Sequence, residues 1–240
     1  MRRYLIKYLT LIFVLFTNYS FSQHNLQKKT DSMFTIIVNR PDTKNKVDEL
    51  TILFKNAAKK GYVNYEIIDS AISIGDKLFY IEGLGKAYQR KGLTARYNYD
   101  YYTAIENHKR ALTYLEQTID TIETIKCLNN IGVAYRRVNI EDKSFDYYFK
   151  AYKLSEKINL TSSQAIALNG IGNIFIDIKK YKTALYYFKK ALQLEVSNNN
   201  KQGIEYDLAN IGETNIYMGN YDSAKVYLER ALQYAKQRKK

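Results

Sequence analysis

Cysteine, proline and tryptophan are nearly missing from this chain of 240 residues, which has one Cys, one Pro, no Trp and 11 Gly. A single Cys excludes a disulfide-stapled scaffold, and so little Pro and Gly excludes collagen-like and low-complexity disordered chains. One Pro also leaves helices almost uninterrupted, because Pro removes a helical hydrogen bond and clashes with the preceding turn. With 46% hydrophobic residues the chain can bury a substantial core, so the expected fold is all-α. Histidine is scarce too. His24, His108 and the lone Cys127 cannot supply the three or four closely spaced ligands of a zinc site. No phosphate-cradling Gly loop occurs, since Gly170 and Gly172 fall inside a helical pattern. A Cys127/His108 nucleophilic pair is the one catalytic arrangement left open by sequence, because such pairs meet in space. His108 and Cys127 both fall on apolar helix faces, and the reading is of a chain with no catalytic residue, no metal and no cofactor.

What is abundant is positive charge and tyrosine: 37 Lys+Arg against 24 Asp+Glu, net +13, with 24 Tyr. Basicity of this size suits a nucleic-acid or acidic-membrane partner. Lys, Asn, Ile, Tyr and Phe are enriched together, however, as they are when codons are A/T-rich, and that explains both excesses without a nucleic-acid partner.

The first 22 residues read as a secretory signal peptide. Arg2, Arg3 and Lys7 precede an apolar run over Leu9 to Phe16, and Ser20 and Ser22 sit where a signal peptidase reads small residues. Cleavage would leave Gln23 first, remove three positive charges and place the mature chain in the periplasm; an uncleaved signal would instead anchor it. The run is shorter than the ~20 apolar residues of a spanning helix, and no integral membrane segment is expected after cleavage.

Residues beyond a linker at 23–45 repeat with a period of 40. Leu128, Leu168 and Leu208 share that spacing, as do Ile131, Ile171 and Ile211, each followed by Gly132, Gly172 and Gly212. Tyr147, Tyr187 and Tyr227 follow, then Tyr148, Phe188 and Leu228, then Ala151, Ala191 and Ala231. Apolar residues recur at three and four within each unit, so each is a pair of amphipathic helices. Gly172, Ala184 and Ala191 let the two backbones approach. An earlier copy, anchored on Gly85 and resuming at Ala104, implies an insertion near 93–99, with Tyr97, Tyr99, Tyr101 and Tyr102 in it and at its exit. Such interleaved aromatic and basic residues fit stacking, an interface anchor, or simply the packing face of a longer helix. Five units are expected, at about 46–78, 79–118, 125–158, 165–198 and 205–238.

These residues resemble the tetratricopeptide repeat: Leu208-x-x-Ile211-Gly212, Gly219-Asn220-Tyr221, then Ala224, Leu228 and Ala231, and the matching set from Leu168 to Ala191. The 40-residue period looks like the longer-helix variant of exported bacterial sensor and regulator proteins. The resemblance implies a right-handed α-solenoid whose first helices line a concave groove that holds a partner protein or peptide. Residues placed three before and one, four and five after each repeat glycine would then face the groove. Lys86, Arg90, Asn129, Arg136, Arg137, Asn169, Asn173, Asp177, Glu213 and Tyr217 are the candidate partner-binding residues. The groove would be basic toward its N-terminal half and acidic to apolar toward the other. Some family members clamp a C-terminal carboxylate with Lys, Asn and Arg from consecutive first helices. Here Glu82 stands where one clamp Lys is expected, so an extended, acidic segment is the expected ligand. The alternative is a periplasmic sensory or regulatory module of the histidine-kinase or transcription-regulator type. The last unit ends without a polar cap, which implies self-association through its final helix, docking on another chain, or a longer protein of which this is the front.

Overall fold

The computed structural model describes residues 23–238, so the signal-peptide reading of residues 1–22 lies outside the described part. Among the described residues there are eleven helices and no strand. Residues 23–38 form α1. It is followed by α2 (Lys44–Lys59), α3 (Tyr65–Lys77), α4 (Ile81–Tyr97), α5 (Tyr101–Leu115), α6 (Thr121–Arg137), α7 (Glu141–Lys157), α8 (Thr161–Asp177), α9 (Tyr181–Ser197), α10 (Lys201–Tyr217) and α11 (Tyr221–Arg238). The segment expected to be a linker is therefore largely helical. Its helix is fastened by Lys46, whose buried ammonium donates to Val38 O (2.7 Å), Arg40 O (2.6 Å) and Asp42 Oδ1 (2.9 Å), satisfying carbonyls at the end of α1.

From α2 onward each helix packs on the next, and the helices pair as α2/α3, α4/α5, α6/α7, α8/α9 and α10/α11. First helices also touch one another, α4 on α6, α6 on α8 and α8 on α10, whereas no two second helices are in comparable contact. An inner layer closer together than the outer one bends the stack, and the first helices line the inside of the bend. That is the solenoid architecture, in which each unit contacts only its neighbours.

The turns show why the period is so regular. Phe79, Tyr99, Asn139, Asn159, Lys179, Asn199 and Gly219 all have positive φ, between 48° and 75°, at steps of 20 or 40 residues. In each turn the following N–H closes back on a carbonyl five residues earlier, as Ile140 N to Tyr135 O (3.0 Å), Lys180 N to Phe175 O (2.8 Å) and Asn220 N to Asn215 O (2.9 Å). A left-handed residue with this bond is the Schellman termination of a helix. Asp100, Asp120 and Asn200 then cap the next helix through their side chains.

The repeat columns are the core. Leu128, Leu168, Leu208, Ile131, Ile171, Ile211, Ala151 and Ala191 are all buried. The glycine column exists because an aromatic or branched side chain of the second helix lies flat on it. A Cβ at Gly132 would sit 2.9 Å from the Tyr148 ring, at Gly172 2.5 Å from Phe188, and at Gly212 2.7 Å from Leu228. Ser144, standing where the other units have Ala, donates to Gly132 O at 2.8 Å, so its hydroxyl is satisfied inside the pair.

The same contact corrects the register of the second unit. A Cβ at Gly92 would be 3.0 Å from the His108 ring, whereas one at Gly85 would meet Leu115. Gly92, not Gly85, is thus the counterpart of Gly132, forty residues on. From Gly92 to Ala104 the spacing equals that from Gly172 to Ala184, and α4 and α5 have the same connection as their later counterparts. The insertion expected near 93–99 does not exist. Its tyrosines surround an ordinary turn, with Tyr99 in the left-handed position (φ 63°) and Asp100 capping α5.

Candidate functional site: the concave groove

Two cavities open on the inner face. The larger, about 630 Å³, lies between α6, α8 and α10, and its walls include Val133, Arg137, Asn169, Gly170, Asn173, Tyr206 and Ala209. The smaller, about 450 Å³, lies between α2 and α4, with Lys55, Lys59, Arg90, Leu93 and Tyr97 around it. In α4, α6, α8 and α10 these residues fall at the same places in the 40-residue repeat, so the inner face is one helical stripe repeated. It mixes charged and amide side chains with exposed apolar ones such as Tyr97, Ile166 and Tyr206.

The candidate residues divide into three kinds of environment. Arg137, Asn169 and Asn173 come together at the larger cavity, and Arg90 borders the smaller one. Lys86 and Arg136 are on the inner helices but their charges are engaged: Lys86 pairs with Glu82, which holds its ammonium above the usual lysine range, and Arg136 Nη1 donates to Asp177 Oδ2 at 2.9 Å. That second pair ties α6 to α8. Glu213 accepts from the Tyr217 hydroxyl at 2.8 Å, and Tyr217 stacks on Tyr181 with ring centroids 5.6 Å apart.

Asn129 and Asn169 depart from the sequence expectation. Both are buried between successive first helices. Asn169 Nδ2 donates to Asp207 Oδ1 at 2.6 Å, and its own Oδ1 accepts from Asn210 Nδ2 at 3.2 Å. Asn129 is buried with its Oδ1 left without a hydrogen-bond partner, whereas Asn169 joins neighbouring units while also reaching the cavity wall. Asn173, one turn further on, is the open one.

Sequence reasoning missed Lys55 and Lys59, because the first unit is the most diverged and was not counted into the groove. It also missed the polar cluster of the last two units. Asp207 is completely buried, and desolvation pushes its carboxyl up to about 7, against the opposing hydrogen bond from Asn169 and with help from the nearby charge of Glu195. Glu195, at 4% exposure, is likewise raised by burial. One signal could have found them: Asp207 occupies the column of Ala87, Cys127 and Ala167, and Glu195 that of Leu115 and Ser155.

The Cys127/His108 pair does meet in space, but in the wrong form for catalysis. Cys127 Sγ donates to the backbone carbonyl of His108 at 3.1 Å, not to its ring. Burial pushes the thiol well above the usual cysteine range and the imidazole down to about 3, so both are neutral, the reverse of a thiolate–imidazolium pair. Neither ring nitrogen has a partner. Among the described residues no group of three or more His, Cys, Asp and Glu could hold a metal ion, and no helix is long and apolar enough to cross a membrane.

A stack of helix pairs with a repeated glycine–aromatic contact and an open inner groove defines an α-solenoid built from helix-turn-helix repeats. The family model of the tetratricopeptide repeat matches residues 163–237, so the units of that stretch are tetratricopeptide repeats. The Photosystem I assembly protein Ycf3 of a Prochlorococcus marinus strain is 39% identical over 70 residues, 29% of this chain; the chain spans 39% of that relative's length. Among solved structures, BtubC (BKLC) from P. vanneervenii superposes with a TM-score of 0.68 at 13% identity, covering 93% of this chain and 90% of that one. A Rap protein complexed with competence and sporulation factor gives 0.59 at 17% identity, covering 90% and 66%. At such identities these structures show a shared fold.

Proposed function

We propose that this chain is a non-enzymatic interaction scaffold whose concave groove holds an extended segment of a partner protein. The observation that carries the reading is the continuous inner stripe of mixed polar and apolar side chains with two cavities, 630 and 450 Å³, spaced along it. A helical stack has its backbone groups satisfied internally, so ligand affinity must come from side chains on that stripe. The complex of the Rap protein with competence and sporulation factor supports the reading as a precedent on a similar fold. Lys55, Lys59 and Arg90 at the smaller cavity, with Arg137 at the larger, favour acidic side chains at that end of the partner. Binding of fluorescent acidic decapeptides tests this. Lys59→Glu/Arg90→Glu should weaken binding at least tenfold, with the loss shrinking as salt rises. Equal affinity for wild type and variant sinks the acidic-ligand reading.

The reading includes export, supported by the charged, apolar and small-residue regions of residues 1–22. The mature chain recovered from a cell-envelope fraction should begin at Gln23; a chain that retains Met1 and stays in the cytoplasm refutes it. It also includes association through α11. Leu228 and Leu232 are 37% and 53% exposed, whereas Phe188, at the place of Leu228 one unit earlier, is 1% exposed. A helix of a second copy would cover that face as α10 covers α9. Sedimentation should show a dimer at tens of micromolar, and a monomer throughout counts against it.

A further inference from the structure

The wall of the larger cavity holds a charge that nothing in the protein neutralises. Glu195 projects from the end of α9 over the first turn of α10, and its carboxyl takes the space a side chain at 203 would fill: a Cβ on Gly203 would be 2.3 Å from Glu195 Cδ. Two departures from the repeat are thus in contact, since the equivalent pairs are Leu115 with Glu123 and Ser155 with Ser163. Glu195 and Gly203 both border the cavity. Glu195 Oε2 is buried and has no hydrogen-bond partner, and Asp207 Oδ2 behind it has none either. Among the described residues neither carboxylate forms an ion pair. The cavity's other acid, Glu205, also has a buried Oε2 without a hydrogen bond, but its charge is matched by Arg238, whose Nε lies 3.0 Å away. Each carboxylate has one amide neighbour, Asn200 for Glu195 and Asn169 for Asp207, but the other oxygen of each is buried without a partner, and a buried carboxylate without a counter-charge is expensive.

We propose that the Glu195 pocket is a specificity subsite that receives the cationic side chain, Lys or Arg, of the segment bound in the groove. This rests on the groove-binding reading and deepens it. A cation entering the cavity would reach the Glu195 carboxyl at its wall by a small side-chain rotation and feel the charge of Asp207 behind it, while Tyr206 and Ile166 flank the aliphatic stem. Burial raises both acids above their usual range, which marks the site as short of positive charge. The pair cannot be a metal centre on its own, since no third His, Cys, Asp or Glu joins it among the described residues. Arg137 enters from α6, across α8, where it suits an acidic or carbonyl group of the same ligand. The preferred segment is therefore asymmetric, acidic toward α2 and α4 and carrying one basic residue at α8 to α10.

The test uses randomised decapeptide pools in which one position is fixed as Lys, Arg or norleucine, captured on the purified chain and counted. Wild type should retain the Lys and Arg pools at least tenfold over norleucine. Glu195→Gln, which keeps the shape, should bring that ratio near one while leaving norleucine retention unchanged; Glu205→Gln should leave the ratio intact. Equal retention of Lys and norleucine pools by wild type overturns the subsite but not the groove. A Lys preference that survives Glu195→Gln also overturns it. If no pool of either kind is retained, the groove reading fails and the subsite with it. Unchanged circular dichroism and a melting temperature no lower than wild type for Glu195→Gln guard against reading misfolding as lost specificity.

Discussion

Tyr148 lies between two glycines of successive units, and replacing one of them measures how tightly the stack is built. Its buried ring rests on Gly132 of α6, where a Cβ would be 2.9 to 3.0 Å away, and on Gly170 of α8, where a Cβ would be 2.3 Å from both Cε1 and Cζ. Normal contact begins near 3.4 Å. In Gly170→Ala the ring would have to move by roughly 1 Å, and Gly132 blocks retreat on the other face. Overpacking of this kind costs about 1–3 kcal/mol, while Ala in a helix interior is favoured over Gly by about 1 kcal/mol. The net expectation is destabilisation by up to about 2 kcal/mol, or a melting temperature lower by up to about 4–8 °C for a chain of this size. Urea titration of Gly170→Ala in the wild-type and Tyr148→Ala backgrounds completes a double-mutant cycle. In the second background the same substitution should turn stabilising, giving a coupling of about 2 kcal/mol or more. If Gly170→Ala stabilises the wild type, as it would on an exposed helix, the sandwiched-ring argument is wrong.

Other perturbations follow from the same structure. Asp207 titrates near 7 when folded against 3.8 when unfolded. Between those values the folded state binds the extra proton, so stability should fall as pH rises from about 4 to 7, on the order of 1 kcal/mol per unit at most. Asp207→Asn, which keeps an oxygen facing Asn169 and removes the charge beside Glu195, should flatten that slope and raise the urea midpoint at pH 8. His108 acts in the opposite sense: with a folded value near 3 and an unfolded one near 6.5, its contribution is lost as pH falls below about 6.5. His108→Phe, matching Phe188, should raise stability by about 1 kcal/mol at neutral pH by removing two unpartnered nitrogens, and by more at pH 5; an unchanged melting temperature at both pH values refutes this. Tyr99→Gly relieves a left-handed backbone at φ 63° and should stabilise by about 1 kcal/mol or less; a lower melting temperature shows the tyrosine ring to be packed. Cys127, buried with a protonated thiol, should react with a thiol reagent only as fast as the chain opens, so rapid labelling of the native protein contradicts its placement.

The 40-residue columns carried the fold. Leu168, Ile171, Gly172, Phe188 and Ala191 repeat because every unit meets the same neighbours, so the demands of packing are copied along the chain, and helix pairs, solenoid and core are legible from spacing alone. In the second unit Gly85 and Gly92 both sit in helical patterns; the 40-residue step to Gly132 favours Gly92, and the His108 ring resting on it decides. The tyrosines around 99 then cease to be an insertion and become a turn. At the groove, sequence located the stripe but not the state of each residue. Lys86 and Arg136 spend their charge on Glu82 and Asp177, and Asn129 and Asn169 are closed between helices, because the distance between successive first helices is set by the curvature of the whole stack. Glu195 and Gly203, eight residues apart on different helices, acquire meaning only when the turn between α9 and α10 folds one over the other. Period and polarity are local properties that sequence records; which polar group is left without a partner depends on how the units stack, and only the tertiary structure settles it.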